Sequence, residues 1–265
     1  MYVINGNKNS PNTLLILSGI HGNEYSPCIL SNKICNNIEL ISELKQHYNE
    51  IIFLSNINKE GLVNNTREFI NIDLNRIYQY DFSTIDSIKK AIEKSTHIID
   101  LHSSPHCDNF ILINNTNTAN SYVEYAIANN INYLIYDQYN EYTIKHQTQL
   151  QNKISITFEM NGINFISIDN ILNAEIQLNK ILKTFHTINV VKSYPKYKSQ
   201  TIITAIEDGL HYINEHKQLV CLTLDNIEHI YNIIVDKDFI ATYPIKSYYK
   251  KSETIILIQK YNQLI

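Results

Sequence analysis

Residues 14–27 read LLILSGIHGNEYSP, and the stretch changes character halfway along. The apolar run 14–20 has the length and Leu/Ile content of a strand buried on both faces, and it breaks abruptly into His21-Gly22-Asn23-Glu24. His21 and Glu24 stand three apart, so on a turn or a first helical turn their side chains point the same way. A strand that delivers such a pair to a sheet edge supplies half of a metal site.

Three further apolar runs repeat the pattern. Residues 51–54 end before Ser55-Asn56, 97–101 before His102, and 154–158 before Glu159. Helix-like segments at 27–43, 86–94 and 121–129 lie between the runs, and another at 170–187 follows the last. Strands alternating with helices predict an α/β fold on a largely parallel or mixed sheet. In such sheets the ligand crevice lies beyond the carboxyl ends of the strands, which is where this spacing puts His21, His102 and Glu159. After about residue 190 the texture shifts: VVKSYPKYKSQ (190–200) reads as a linker, and 218–224, 230–235 and 254–259 read as short strands between polar turns. The expected organisation is a main domain over 1–190 and a small β-rich C-terminal domain over 191–265.

Of the 265 residues, 44% are hydrophobic and 18% charged, ordinary for a folded globular chain. A formal net charge of -4 leaves no electrostatic footprint for nucleic acid or an anionic membrane, so a small-molecule role is expected. No apolar run approaches the roughly 18 residues that span a bilayer, and MYVINGNKNS lacks the features of a secretory signal; a cytoplasmic protein is expected, with homo-oligomerisation left open. Cys28, Cys35, Cys107 and Cys221 form no C-x-x-C pair and read as reduced thiols.

A catalytic zinc site takes three protein ligands and keeps one position open, and two His with one Glu is a recurrent set. His21, Glu24 and His102 fit it. Asp100, two before His102, either orients a ligand or is a buried hydrogen-bonded carboxylate. Glu159 is the candidate for both base and acid, since a carboxyl at the end of a buried strand must be paired, protonated or functional. The segment NNTREFINIDLNR (64–76) packs Arg67 and Arg76 among amides just after the run 51–54. One arginine can polarise a scissile carbonyl while another holds an acid group of the substrate.

The ordered set G-x-HGNE from Gly19, N-x10-R ending at Arg67, DLNR at 73–76, DLH at 100–102 and a late Glu before Gly resembles the aspartoacylase and succinylglutamate desuccinylase family, a branch of the zinc carboxypeptidase fold. LTLDNIEHI (222–230) and TYPIKSYYKKSETI (242–255) resemble the aspartoacylase C-terminal segment, in which a tyrosine reaches over the active site. The resemblance implies a three-layer α/β/α domain with a mixed sheet, one Zn2+ per chain on His21, Glu24 and His102, and Glu159 as general base and acid. It further implies that Arg67 polarises the acyl carbonyl, that Asn75 and Arg76 hold a substrate carboxylate with Tyr248, and that Tyr142 is a second active-site tyrosine.

Two departures stand out. Arg67 lies nine residues before Arg76, one more than the pattern expects, so a bulge or altered loop is needed to aim it. The segment YTIKHQTQLQ after Tyr142 lacks the family's second substrate-binding arginine, leaving Lys145 or His146 to supply positive charge. The resulting expectation is a zinc-dependent amidohydrolase of N-acyl amino acids, with N-acetylaspartate the leading substrate. N-succinylglutamate, another N-acyl amino acid and a non-catalytic zinc-binding protein are the alternatives.

Overall fold

The computed structural model describes residues 1–80, 83–104, 109–114, 116, 118–136, 142–162 and 166–192, and beyond them the backbone of seven strands between 201 and 259; at 83–84 and 134–136 it describes backbone only. Its centre is a seven-stranded sheet of β1 (Tyr2–Asn5), β2 (Thr13–Ser18), β3 (Glu50–Leu54), β4 (His97–Ser104), β5 (Phe110–Asn114), β6 (Tyr133–Tyr136) and β7 (Ile154–Asn161), in the order β1-β3-β2-β4-β7-β5-β6. Strands β3, β2, β4 and β7 run parallel, β1 pairs antiparallel with β3, β5 pairs antiparallel with β7, and β6 is parallel to β5. The sheet is therefore mixed, as the alternation of runs predicts.

Period-two alternation sends neighbouring residues of each run into two cores. Leu14, Ile16, Ile51, Phe53, Ile99 and Leu101 pack on α1 (Tyr25–Cys35), α2 (Ile38–Leu44), α5 (Ala119–Ala128) and α7 (Ile168–Thr184). Leu15, Leu17, Ile52, Leu54 and Ile98 pack on the other face against a 3-10 helix (Leu74–Gln79), α4 (Ser83–Lys94) and α6 (Ile144–Leu150). Helices on both faces give three layers, and Leu14 to Leu17 are wholly buried. Each such side chain stabilises the fold by roughly 1.5–3 kcal/mol.

The chain leaves β2 through α1 and α2 to reach β3 on one side, then returns through the 3-10 helix and α4 to β4 on the other side of β2. Crossovers of one hand in opposite directions put these helices on opposite faces, so the carboxyl ends of β2 and β4 flank a switch point with a crevice.

The expected helix at 27–43 is two helices. The Asn36 side chain donates to Asn32 O at 2.8 Å, and Asn37 caps α2 by accepting from Leu40 N at 3.1 Å. These short amides offer the backbone local partners that end one helix and start another. Strands β5 and β6 and helix α6 are additional to the expected elements.

Beyond 200, β8 (Thr201–Thr204), β9 (Gly209–Ile213), β10 (Gln218–Leu222), β11 (Glu228–Ile234), β12 (Phe239–Ala241), β13 (Ser247–Tyr249) and β14 (Thr254–Gln259) form two antiparallel sheets, β11-β10-β9-β13 and β12-β14-β8. The runs read as strands at 218–224 and 230–235 overlap β10 and β11, and that at 254–259 coincides with β14. Most of the segment read as a linker lies outside the described residues.

Candidate active site

The three expected ligands converge. His21 and Glu24 occupy the turn between β2 and α1, and His102 stands near the end of β4, all buried. His21 Nδ1 lies 2.6 Å from Glu24 Oε1, His102 Nδ1 lies 3.2 Å from Glu24 Oε2, and the two Nδ1 atoms are 3.2 Å apart. One donor atom from each residue falls within 4.8 Å of the others. Two imidazole nitrogens and a carboxylate gathered this closely could hold a metal ion. Ligands about 109° apart on bonds of ~2.05 Å would sit ~3.3 Å from each other, so the Nδ1 separation suits a tetrahedral zinc site.

Electrostatics point the same way. Burial alone would raise the Glu24 carboxyl, but His21 and His102 outweigh it and hold the group well below the usual carboxylate range. Burial pulls His102 down, yet Asp100 and Glu24 raise it well above its ordinary value. Glu24 and His102 thus each favour the charged form of the other.

Each ligating histidine turns its other nitrogen to a carboxylate. His102 Nε2 faces Asp100 Oδ2 at 3.0 Å, and His21 Nε2 faces Asp73 Oδ1 at 3.2 Å. Such partners set the tautomer that leaves Nδ1 free for a metal. Asp100 is thereby placed for the orienting role, one of its two readings. Asp73 is a residue that the sequence reading passed over, although it opens the DLNR segment. The Ser103 backbone N–H donates to Glu24 Oε2 at 2.8 Å and fixes the third ligand.

Glu159 is the register partner of His102 across β4 and β7, one strand from the histidines. Ser104 Oγ donates to Glu159 Oε2 at 2.7 Å. Burial raises the Glu159 carboxyl above its usual value, with His102 pulling it down and Glu24 pushing it up.

Arg67 reaches this cluster by an unexpected backbone device. Phe69 and Ile72 exchange backbone hydrogen bonds of 2.9 Å around a two-residue turn at Ile70-Asn71, with φ of 47° and 62°. The turn folds the extra residue away, and Arg67 Nη1 comes within 3.6 Å of Glu24 Oε1 and Nη2 within 3.6 Å of Asp73 Oδ2. The Arg67 backbone carbonyl is also held, accepting from Gly22 N at 3.2 Å and Asn58 Nδ2 at 3.2 Å. Gly22 packs so closely on the backbone of Gly61 and Leu62 in α3 (Lys59–Asn64) that a Cβ has no room.

Residues 10–185 match the sequence profile of the succinylglutamate desuccinylase/aspartoacylase catalytic domain. The chain belongs to that family. Among curated proteins none matches it. Among solved structures, the product-bound ectoine utilization protein EutE (DoeB) from Ruegeria pomeroyi is similar at 15% identity, covering 98% of this chain and 88% of that one with a TM-score of 0.69. An aspartoacylase family protein from Mesorhizobium loti is similar at 18% identity, with 98% and 88% covered and a TM-score of 0.68. A metallo-carboxypeptidase from Pseudomonas aeruginosa shares the fold at 12% identity over 70% of this chain and 59% of its own, with a TM-score of 0.54. The succinylglutamate desuccinylase/aspartoacylase family is one of deacylating hydrolases, and the α/β domain of this member has the zinc carboxypeptidase-like fold.

Of the remaining expected site residues, Arg76 adjoins Asp73 and Asn75 adjoins α6. Asn75 Oδ1 accepts from Ile144 N at 3.1 Å, tying the DLNR segment of this family member to the start of α6. Arg76 Nη1 donates to Asn75 O at 3.2 Å and lies 3.9 Å from Asp73 Oδ2. Tyr142 is 40% exposed just before α6. Lys145 is buried and donates to Leu112 O at 3.3 Å. Tyr248 lies on β13, and its side chain is outside the described residues, as is His106.

Proposed function

We propose that this family member is a zinc-dependent amidohydrolase that cleaves N-acyl amino acids to a carboxylate and a free amino acid, with N-acetylaspartate as the first substrate to test. The observation that carries the reading is the convergence of His21 Nδ1, His102 Nδ1 and Glu24 beside a carboxyl that binds none of them, Glu159. Binding a metal needs no such carboxyl; hydrolysis does.

A zinc ion held by His21, Glu24 and His102 supplies Lewis acidity that makes water a usable nucleophile at neutral pH. Glu159 accepts the proton as the water oxygen bonds to the acyl carbon, and delivers it to the nitrogen as the C–N bond breaks. Arg67 donates to the acyl oxygen as negative charge develops there. Arg76, with Asn75 and Tyr248, holds the substrate carboxylate through a fork that keeps its proton at every working pH, and Tyr142 is a second active-site tyrosine. In this proposal the strands beyond 200 form a second domain that brings Tyr248 over the cleft, a geometry suited to small substrates in the cytoplasm.

The test is amine release from zinc-loaded protein across N-acetyl and N-succinyl amino acids with acidic and neutral side chains. Release from one of them, abolished on zinc removal and lowered by roughly 10²–10⁴-fold in Glu159→Gln with zinc still bound, supports the mechanism. Equal turnover in Glu159→Gln refutes it, and no release from any substrate points to a zinc-binding protein without turnover.

A further inference from the structure

Lys145 stands in the first turn of α6 at 4% exposure, although a lysine is seldom buried unless its charge is matched. The one hydrogen bond that its ammonium makes among the described residues, to Leu112 O at 3.3 Å, is to a neutral carbonyl. None of the close ion pairs between described residues includes it. Burying an ammonium on those terms is costly, so its compensation must come from further off.

The register shows where. Leu112 is opposite Thr157, and Thr157 is opposite Asp100; one step towards the strand ends lie Phe110, Glu159 and His102. Helix α6 packs through Ile144 on the sheet face that also carries Ile98, and by strand alternation Asp100, His102 and Glu159 belong to that face. Lys145 is thus a cation set under the floor of the site. Burial pulls its ammonium down to about 7, against the opposing pull of Glu159 and Asp100, while burial pushes the Glu159 carboxyl up. Glu159 and Asp100 thus offset part of what burial costs the ammonium.

We propose that Lys145 is a positioning residue for Glu159, its buried ammonium compensating the base from the α6 side of the sheet instead of contacting substrate. This rests on the deacylase reading for the role of Glu159, but the pairing itself is testable without turnover. Lys145→Met, Glu159→Gln and the double variant are made in the full chain, loaded with zinc, and compared for thermal midpoint, zinc per chain, kcat and KM. The expected result is that Lys145→Met retains zinc, lowers kcat at least tenfold and leaves KM within twofold. Its loss of thermal midpoint falls to half or less in the Glu159→Gln background, where no charge remains at the base. If Lys145→Met does not fold, Lys145→Gln, which keeps a donor for Leu112 O, carries the same cycle. Additive midpoints overturn the proposal whatever the wild-type turnover, and a tenfold rise in KM with kcat retained overturns it in favour of a substrate contact. Absence of turnover in the wild type defeats the deacylase reading alone, and the thermal cycle then decides the pairing.

Discussion

Replacing Asp73 by Asn separates what this carboxylate does for the metal from what it does for the arginines. The substitution preserves shape and one acceptor oxygen, so the bond from Asn75 N to Asp73 Oδ1, 2.8 Å in the wild type, is kept. What it removes is the charge facing His21 Nε2 at 3.2 Å and Arg67 Nη2 at 3.6 Å. A hydrogen bond to a charged group contributes about 1.5–3 kcal/mol and a neutral one about 0.5–1.5, so the histidine loses ~1–1.5 kcal/mol of support. At about 1.4 kcal/mol per factor of ten, zinc affinity should fall roughly tenfold. Arg67 is 47% exposed, and solvent-facing pairs of this kind contribute about 1 kcal/mol or less, so kcat/KM at saturating zinc should fall a further few-fold. Asp100 is 1% exposed, against 22% for the Asp73 side chain, and holds its histidine in a drier setting. Asp100→Asn should therefore cost more, towards the ~100-fold end of the range for such partners. Competition of apo protein with a chromophoric chelator for zinc measures both. Affinity within twofold of wild type in Asp73→Asn, or a larger loss there than in Asp100→Asn, would refute the argument that these carboxylates act on the metal in proportion to their burial.

Three further outcomes follow from the backbone and the core. Ile70 holds a left-handed conformation at 63% exposure, so Ile70→Asn should relieve ~1 kcal/mol of strain and raise Tm by about 2–4 °C; a lowered Tm would mean the turn carries no strain. Gly22→Ala drives a methyl group into the backbone of Gly61 and Leu62, and should cost at least ~1–3 kcal/mol in urea unfolding and reduce zinc per chain, because His21 and Glu24 flank the shift; full zinc occupancy with unchanged stability would contradict it. His97 is buried between Tyr48 and Phe185, and burial lowers its pKa from 6.5 to about 4. Between those values the unfolded chain binds a proton that the native one refuses, so stability should fall by up to roughly 3 kcal/mol as pH drops from about 6.5 to 4. Unfolding midpoints measured across that window should slope less in His97→Phe, and parallel slopes would exclude His97 as the source.

The positions of His21, His102 and Glu159 were legible because a parallel strand buried on both faces is written as an unbroken apolar run, against which the first polar residue stands out. The family resemblance could be read in part for a related reason, since two of its short words, HGNE and DLH, lie at those same strand ends. Arg67 shows where such reading stops: its aim depends on a left-handed turn whose first residue is Ile70, a β-branched side chain that carries no turn signal. Asp73 and Lys145 stop it differently. Asp73 was in plain view, but the atoms it serves belong to His21, 52 positions earlier, and only the chain's path around β2 brings them together. Lys145 was expected to supply positive charge to the substrate because it follows Tyr142, and its ammonium turns to Leu112 O on the same face of the sheet. A strand end advertises its residue locally, whereas a helix packed on a sheet assigns its residues to pocket or floor by a rotation that the sequence does not state. The groups that tune this site are therefore those that had to be found in three dimensions, and the absence of an arginine after Tyr142 leaves room beneath the base for a charge of a different kind.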